Sequence, residues 1–341
     1  MVDRTSHIVV AGAGSIGCYV GGCLALAGRR VTLLLRPILA QAIARDGLRV
    51  SDLEGGDRVV SPSALRLATD AGPALVQAEI VLVTVKSADT APMADLIARH
   101  APDHAVVVSL QNGIGNIDTL QSRLGESRRV VAGMVPFNVV QTRGNGPRVH
   151  RATSGTILIG AGVPELREAL DVPGAHVAER ADMARVLWGK LILNLNNALN
   201  ALAGIPLAQE LSDRRWRLLL ARQIDEALAV LDAAGIHPAR IERVPVRAIP
   251  HILRLPDILF RLLARRMLAI DPEARSSMWE DLLRGRKTEI DYLQGAILSL
   301  ARKGGVATPV TERIVRLIKE AEAARAGSPG LQAAEVADAL A

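Results

Sequence analysis

The chain opens on HIVVAGAGSIGCYVGG, His7 to Gly22, and the reading of this stretch decides the fold. Ile8 to Ala11 is a short unbroken apolar run, the pattern of a strand covered on both faces. Gly12, Gly14 and Gly17 follow in the spacing G-x-G-x-x-G, and Ser15 to Leu26 reads as a helix. Each glycine has its own task in such a strand-turn-helix. Gly12 permits the tight turn, Gly14 leaves room for a pyrophosphate, and Gly17 lets helix and strand pack closely. The new helix offers phosphate its unpaired N–H groups and the positive end of its dipole. The same letters could also make a plain tight turn with no ligand. Their place between a clear strand and a clear helix favours a dinucleotide. Gly12, Ala13, Gly14, Ser15, Ile16 and Gly17 are therefore the expected cofactor cradle.

Working outward, RVTLLL (Arg30–Leu35) is a second buried strand and ends at Arg36-Pro37. The residue closing this strand, about 20 positions past the glycines, meets the adenosine ribose in a dinucleotide fold. An acid there would accept from the 2′-OH of NAD. Arg36 with no acid beside it suits the 2′-phosphate of NADP, although a surface arginine is common in this composition. Leu48 to Val60 alternates weakly around a Gly-Gly turn, a small strand excursion. IVLVTV (Ile80–Val85) ends at Lys86. Ala105 to Leu110 is a further buried strand and leads into Gln111, Asn112 and Gly113, with a helix opening at Gly115-Asn116. Val130–Val135 and Thr156–Ile159 read as more strands. Short buried strands alternating with helices predict a parallel sheet covered on both faces. Ligands of such sheets bind beyond the strand C-termini, where the glycine loop, Arg36, Lys86 and Asn112 all fall.

Near Ala181 the strand patterns stop. Asp182–Asn200, Leu207–Gly235, Ile241–Met267, Trp279–Lys303 and Val310–Ala324 are apolar at helical spacing, with Asp182 as a candidate N-cap. A short helix-like tail follows Gly327, a candidate for loose packing. The expected fold is α/β plus all-α: a Rossmann-type parallel-sheet domain over 1–181 and a helical substrate domain over 182–341.

Composition narrows the function. The 341 residues carry a net charge of +6, but the basic residues are interleaved with acids. Three Trp, two Tyr and two Phe leave few rings to stack bases, so nucleic acid is not an expected partner. Cys18 and Cys23, five apart on one helix, point to different faces and read as small core residues of a cytoplasmic protein. No apolar window spans a membrane, and no residue is assigned to a metal. Arginine is the default cation, with only Lys86, Lys190, Lys287, Lys303 and Lys319 as lysines. A lysine in a motif is therefore informative.

Two constellations stand in the helical half. LWGKLILNLNNALNAL (Leu187–Leu202) is an apolar helix with one lysine and four asparagines. Lys190 and Asn194 are i and i+4 and share a face, with Asn197 close to it. A lysine there can be a proton donor, its pKa lowered by burial, a task arginine cannot perform. It can equally be a snorkelling lysine, with the asparagines bonding between helices. SSMWEDLLRGRKTEIDYLQG (Ser276–Gly295) reads as two serines before a long amphipathic helix. Glu289 sits there among Ile290, Tyr292 and Leu293. By itself this is a solvated face.

These segments together resemble the ketopantoate reductase (2-dehydropantoate 2-reductase) family over nearly the whole chain. The resemblance rests on GAGSIG, VTVK ending at Lys86, QNGIGN around Asn112, LWGKLILN with Lys190 and Asn194, and SSMWEDLLRGRKTEIDY with Glu289. It implies an NADPH-binding Rossmann domain and a helical domain like that of 6-phosphogluconate dehydrogenase, which closes over the substrate. The implied reaction is reduction of ketopantoate to pantoate in pantothenate and coenzyme A biosynthesis. Lys190 would be the general acid, assisted by Glu289. Lys86 and Asn112 would line the cofactor and substrate cleft, and Asn194 and Ser277 would contact the substrate. Three positions depart from the pattern, with Ala198, Ala208 and Ala274 where asparagines are expected. Asn197 and Asn200 are the candidates to compensate. The alternatives are a reductase of a different 2-oxo acid, a non-catalytic NADP(H)-binding protein, and a flavoprotein. The apolar helices suit a homodimer interface as well as a core.

Overall fold

The computed structural model describes residues 2–142, 146–240, 244–263 and 273–337, and the chain divides into two units, Met1–Met183 and Ala184–Ala341. The first is built on strands β1 (Ile8–Ala11), β2 (Val31–Leu34), β3 (Leu48–Asp52), β4 (Asp57–Val60), β5 (Arg66–Ala68), β6 (Ile80–Val83), β7 (Val106–Ser109), β8 (Val130–Met134), β9 (Val139–Thr142), β10 (Arg148–Arg151), β11 (Ile157–Gly160) and β12 (Val177–Arg180). Its helices are α1 (Ser15–Leu26), α2 (Pro37–Asp46), α3 (Ala71–Leu75), α4 (Thr90–His100), α5 (Asn116–Leu124) and α6 (Leu166–Leu170).

The main sheet runs β12-β11-β8-β7-β6-β1-β2-β5 and is parallel apart from the β8–β11 pair. Side chains alternate across each strand, and this sorts the apolar runs into two cores. Ile8, Val10, Leu33, Ile80 and Leu82 pack on the α1 side with Cys18 and Leu24. Val9, Ala11, Leu34, Val81 and Val83 pack on the other side with Leu75, Ile97 and Leu120. Covering both faces explains why these strands are continuously apolar. Each buried Val, Ile or Leu contributes about 1.5–3 kcal/mol relative to exposure. Cys18 and Cys23 are free and buried, and burial pushes their thiols up to about 12 and about 11.

A second sheet, β4-β3-β10-β9, shares α1 with the first. The Leu48–Val60 excursion supplies half of it, while β9 and β10 were not legible in the sequence. Gly21 and Gly22 explain the sharing. A Cβ on Gly21 would lie 2.5 Å from Leu33 of the main sheet, and one on Gly22 would lie 2.6 Å from Val50 of the small sheet.

The second unit is helical: α7 (Met183–Asn194), α8 (Asn196–Ala203), α9 (Leu207–Ser212), α10 (Arg214–Ala233), α11 (Ile249–Leu253), α12 (Asp257–Leu263), α13 (Ser277–Leu283), α14 (Gln294–Gly304), α15 (Pro309–Ala324) and α16 (Ala333–Ala337). The central helix α10 packs on α8, α9, α11, α14, α15 and α16. Its Leu220, Ile224, Ala227 and Leu231 are spaced at three and four and are buried. Glu226 on α10 holds the start of α15 by accepting from the N–H groups of Val310 (2.8 Å) and Thr311 (2.9 Å).

Four expected helices are broken. Asp182–Asn200 is interrupted at Leu195, between α7 and α8. Leu207–Gly235 divides at Asp213, whose carboxylate caps α10 by accepting from Arg215 N at 2.9 Å. Trp279–Lys303 is not one long helix: α13 stops at Gly285, which takes a φ of +60°, and a turn carries the chain to α14. Of Ile241–Met267, residues 241–243 and 264–267 lie outside the described residues. The remainder is punctuated by Pro245, Pro250 and Pro256 into short helices. The guanidinium of Arg217 is fully buried there. It donates to the carbonyls of Leu211, Ser212, Leu253 and Leu255 and to Asp257 (2.7 Å), and so satisfies carbonyls at the ends of α9 and α11. The tail is tied down, with Leu331 N donating to Leu202 O at 2.9 Å and Val336 buried; residues 338–341 lie outside the described residues. Among the described residues no helix is long and apolar enough to cross a membrane.

Candidate active site

The strand register sets the geometry of the first unit. Ala11 pairs with Leu34 and with Val83, and Val83 pairs with Ser109, so β1, β2, β6 and β7 end at one level. The expected residues leave the sheet just past that row: the glycine loop from Gly12, Arg36, Lys86 and Asn112. The chain runs from β1 to one side through β2 and β5, and to the other through β6 and β7. The loops therefore sit at the topological switch point, where parallel sheets bind ligands.

The three glycines of the loop differ in what a side chain would meet. At Gly12 (φ +86°) a Cβ would lie 2.1 Å from Val85 Cγ1, and at Gly17 it would lie 2.5 Å from Thr84 Oγ1. These two permit close packing. At Gly14 a Cβ would meet only the Gly12 carbonyl, at 3.9 Å, so the space over this residue is open. The loop is drawn down by Ala13 N donating to Leu34 O (2.8 Å) and by Thr84 Oγ1 donating to Gly12 O (3.1 Å). The N-cap of α1 is Gly14, which has no side chain to cap the helix. An open cradle over Gly14 facing an uncapped twelve-residue helix fits a pyrophosphate. Arg36 is exposed, stands at the start of α2 and follows β2 with no acid next to it. Lys86 opens the short turn Ser87–Asp89, and Asn112 follows β7; both are half-buried.

In the second unit Lys190 and Asn194 stand on α7, and the segments that carry Glu289 and Ser277 are tied to its end and to the start of α8. Lys190 and Asn194 lie one turn apart on that helix. Lys190 is half-buried, and burial pushes its ammonium down to about 8. The turn carrying Glu289 is held at both ends. Thr288 donates to Glu322 through its N–H (2.7 Å) and hydroxyl (2.6 Å), and Gln294 Nε2 donates to Leu195 O at 2.9 Å, just past α7. Ser276 is buried and structural: it caps α13 through Trp279 N (3.1 Å) and donates to Asn197 O (2.9 Å). That anchors Ser277, which is exposed at the first position of α13.

Asn200 does not replace the missing asparagines. It is fully buried, its Nδ2 donates to Ile205 O (2.9 Å) and Glu210 Oε2 (2.7 Å), and its Oδ1 accepts from Ser276 N (2.8 Å). Ala198 is also fully buried, and Ala208 and Ala274 are half-buried. Sequence reasoning missed Glu210. Burial pushes its carboxyl up to about 8, against hydrogen bonds from Asn200 and Asn196 that favour the charged form. It stands next to Leu211 in an ordinary amphipathic pattern, and nothing in the spacing marks it.

Comparison with known proteins bears on the family and the fold. The model of the family described as Ketopantoate reductase PanE/ApbA matches residues 8–164, and that of its C-terminal region matches 182–322. A 2-dehydropantoate 2-reductase of Halobacterium salinarum is 32% identical over 93% of this chain and 99% of its own. The crystal structure of a PanE/ApbA family ketopantoate reductase from Ralstonia eutropha JMP134 superposes with a TM-score of 0.78. It is 29% identical and covers 94% of this chain and 99% of its own. A D-mandelate dehydrogenase solved with NADH and anilino(oxo)acetate shares the fold at a TM-score of 0.75 and 21% identity, covering 94% of this chain and 99% of its own.

Proposed function

Because the chain belongs to the ketopantoate reductase family of dinucleotide-dependent oxidoreductases acting on a CH–OH group, we propose that it reduces 2-dehydropantoate to pantoate with NADPH. That step feeds pantothenate and coenzyme A biosynthesis, in the cytoplasm, where two unpaired buried cysteines are at home. Residues 1–181 hold the dinucleotide and 182–341 supply the catalytic lysine. Gly12, Ala13, Gly14, Ser15, Ile16 and Gly17 receive the pyrophosphate, Arg36 the 2′-phosphate, and Lys86 and Asn112 the reactive half of the dinucleotide together with the substrate. The reduced dinucleotide supplies a hydride to the ketone carbon when bound.

The observation that carries the reading is Lys190. It is a lysine in an apolar helix, half-buried, with a pKa of about 8. As the ketone oxygen gains negative charge, the ammonium stabilises it and passes it a proton, leaving a neutral amine and an alcohol. A general acid near working pH is worth about 10²- to 10⁴-fold in rate. Glu289 binds the substrate and fixes the lysine, while Asn194 and Ser277 supply polar contacts.

A second reading, another 2-oxo acid, is favoured by one observation. Ala198, Ala208 and Ala274 supply no amide, and Asn200 is committed to the interior. A site with fewer polar partners discriminates less for a polar substrate. NADPH consumption with ketopantoate and a panel of 2-oxo acids tests both. Highest kcat/KM on ketopantoate supports the first reading, and highest kcat/KM on another acid selects the second. No turnover of any 2-oxo acid, with tight NADPH binding, overturns both in favour of a non-catalytic NADP(H)-binding protein.

A further inference from the structure

Beneath the strand ends of the first unit lies a buried polar cluster that no substrate or cofactor role accounts for. Ser87, Thr90, Ser109, Gln111 and Asn116 are all buried. Ser109 Oγ donates to Gln111 Oε1 (3.0 Å), and Gln111 Nε2 donates to Thr90 Oγ1 (2.7 Å) and to Val85 O (3.0 Å). Thr90 Oγ1 in turn donates to Asn116 Oδ1 (2.9 Å). The Asn116 amide then donates to Asn112 O (2.7 Å) and to Ser87 Oγ (3.2 Å), and Ser87 Oγ donates to Asn112 O (2.9 Å).

The Asn112 carbonyl therefore accepts two side-chain donors, Ser87 from the turn after Lys86 and Asn116 from the first position of α5. Two donors on one carbonyl fix the plane of its peptide, and with it the direction in which the Asn112 side chain leaves the backbone. Glycines at 113 and 115, both at positive φ, follow at once, so the covalent chain alone does not hold that direction. Ser87 is the residue after Lys86. The same bonds thus set the Lys86 turn against the Asn112 loop, although the two follow separate strands. A buried network of this kind is costly when half satisfied and rigid when complete.

We propose that Asn116 is a positioning residue, which acts through the Asn112 carbonyl to hold the Asn112 side chain in its binding geometry. The inference rests on the proposed role of Asn112, and the test separates its failure from the failure of that role. Asn116→Asp keeps the shape and puts an acid at the first position of α5, which a helix start tolerates. It removes both amide donors, and Ser87 Oγ then turns to the new carboxylate.

The experiment is a double-mutant cycle of wild type, Asn112→Ala, Asn116→Asp and the double variant. NADPH Kd is read by titration in the absence of substrate, and kcat/KM is read on the best 2-oxo acid. Asn116→Asp is expected to weaken both about tenfold in the wild-type background and less than about twofold when Asn112 is already alanine. A merely structural residue would cost the same factor in both backgrounds, and that result overturns the inference while leaving the role of Asn112 intact. If Asn112→Ala alone changes neither quantity, the role of Asn112 falls and the inference with it. Ser87→Ala, which removes one of the two donors, is the second variant should Asn116→Asp not fold. It is expected to give a smaller loss, about threefold, again absent in the Asn112→Ala background.

Discussion

The sheet unit and the helical unit place their candidate site residues by opposite means. In the sheet unit, backbone register does the work: four strands end in one row, and each loop inherits its place from the strand before it. In the helical unit no such frame exists. Ser277 and the Glu289 turn are located by buried side-chain bonds to the end of α7 and the start of α8, through Ser276 and Gln294. A register is written in short-range pattern, whereas a side-chain bond between helices many residues apart is not. The first kind of site tolerates change outside its loops, and the second depends on interior residues with no signature of their own.

The largest expected effect separates chemistry from binding. Lys190→Ala should lower kcat by about 10²- to 10⁴-fold while leaving NADPH Kd within about twofold. Steady-state kinetics beside a binding titration checks this, and wild-type turnover in the variant would remove Lys190 from its role. Within the sheet unit, Gly12→Ala and Gly14→Ala should behave differently. The first forces a Cβ to 2.1 Å from Val85 at a φ of +86° and should lower Tm by several degrees as well as abolish tight NADPH binding. The second meets nothing closer than 3.9 Å, so Tm should hold while NADPH Kd rises about tenfold or more. Equal Tm losses would show that Gly14 serves packing and not the cradle. Smaller still, Arg36→Ala should raise KM for NADPH about tenfold and leave KM for NADH nearly unchanged. An unaltered NADPH/NADH ratio removes the phosphate role.

The same contrast governs what could be read from the chain. The strands through Asn112 were legible because doubly covered strands are continuously apolar and because G-x-G-x-x-G needs its context to make sense. The small sheet was not: β9 and β10 are four residues each and mix polar with apolar residues, and β10 pairs with β3 from a distant part of the chain. In the helical half the spacing indicated helices but not their breaks. Asp213 and Gly285 end them through a cap and a left-handed residue, local chemistry that a periodic apolar pattern hides. Lys190 stood out as a rare lysine in an apolar helix. Glu210, Gln294 and Ser276 did not, since a buried polar residue and a surface one look alike until the partner is known. The asparagines show the cost of that blindness: Asn200 was a candidate for the substrate shell and proves to be an interior brace.

The central claim is that Lys190 gives a proton to the reduced oxygen, and the pH dependence of kcat/KM for the 2-oxo acid tests it most directly. Burial lowers the lysine pKa to about 8, so the ammonium is present below that value and lost above it. Measured from about pH 6 to about pH 10 at saturating NADPH, kcat/KM should be level at first and then fall about tenfold per pH unit above roughly 8. A profile that stays level through pH 10, or rises there, would contradict the account.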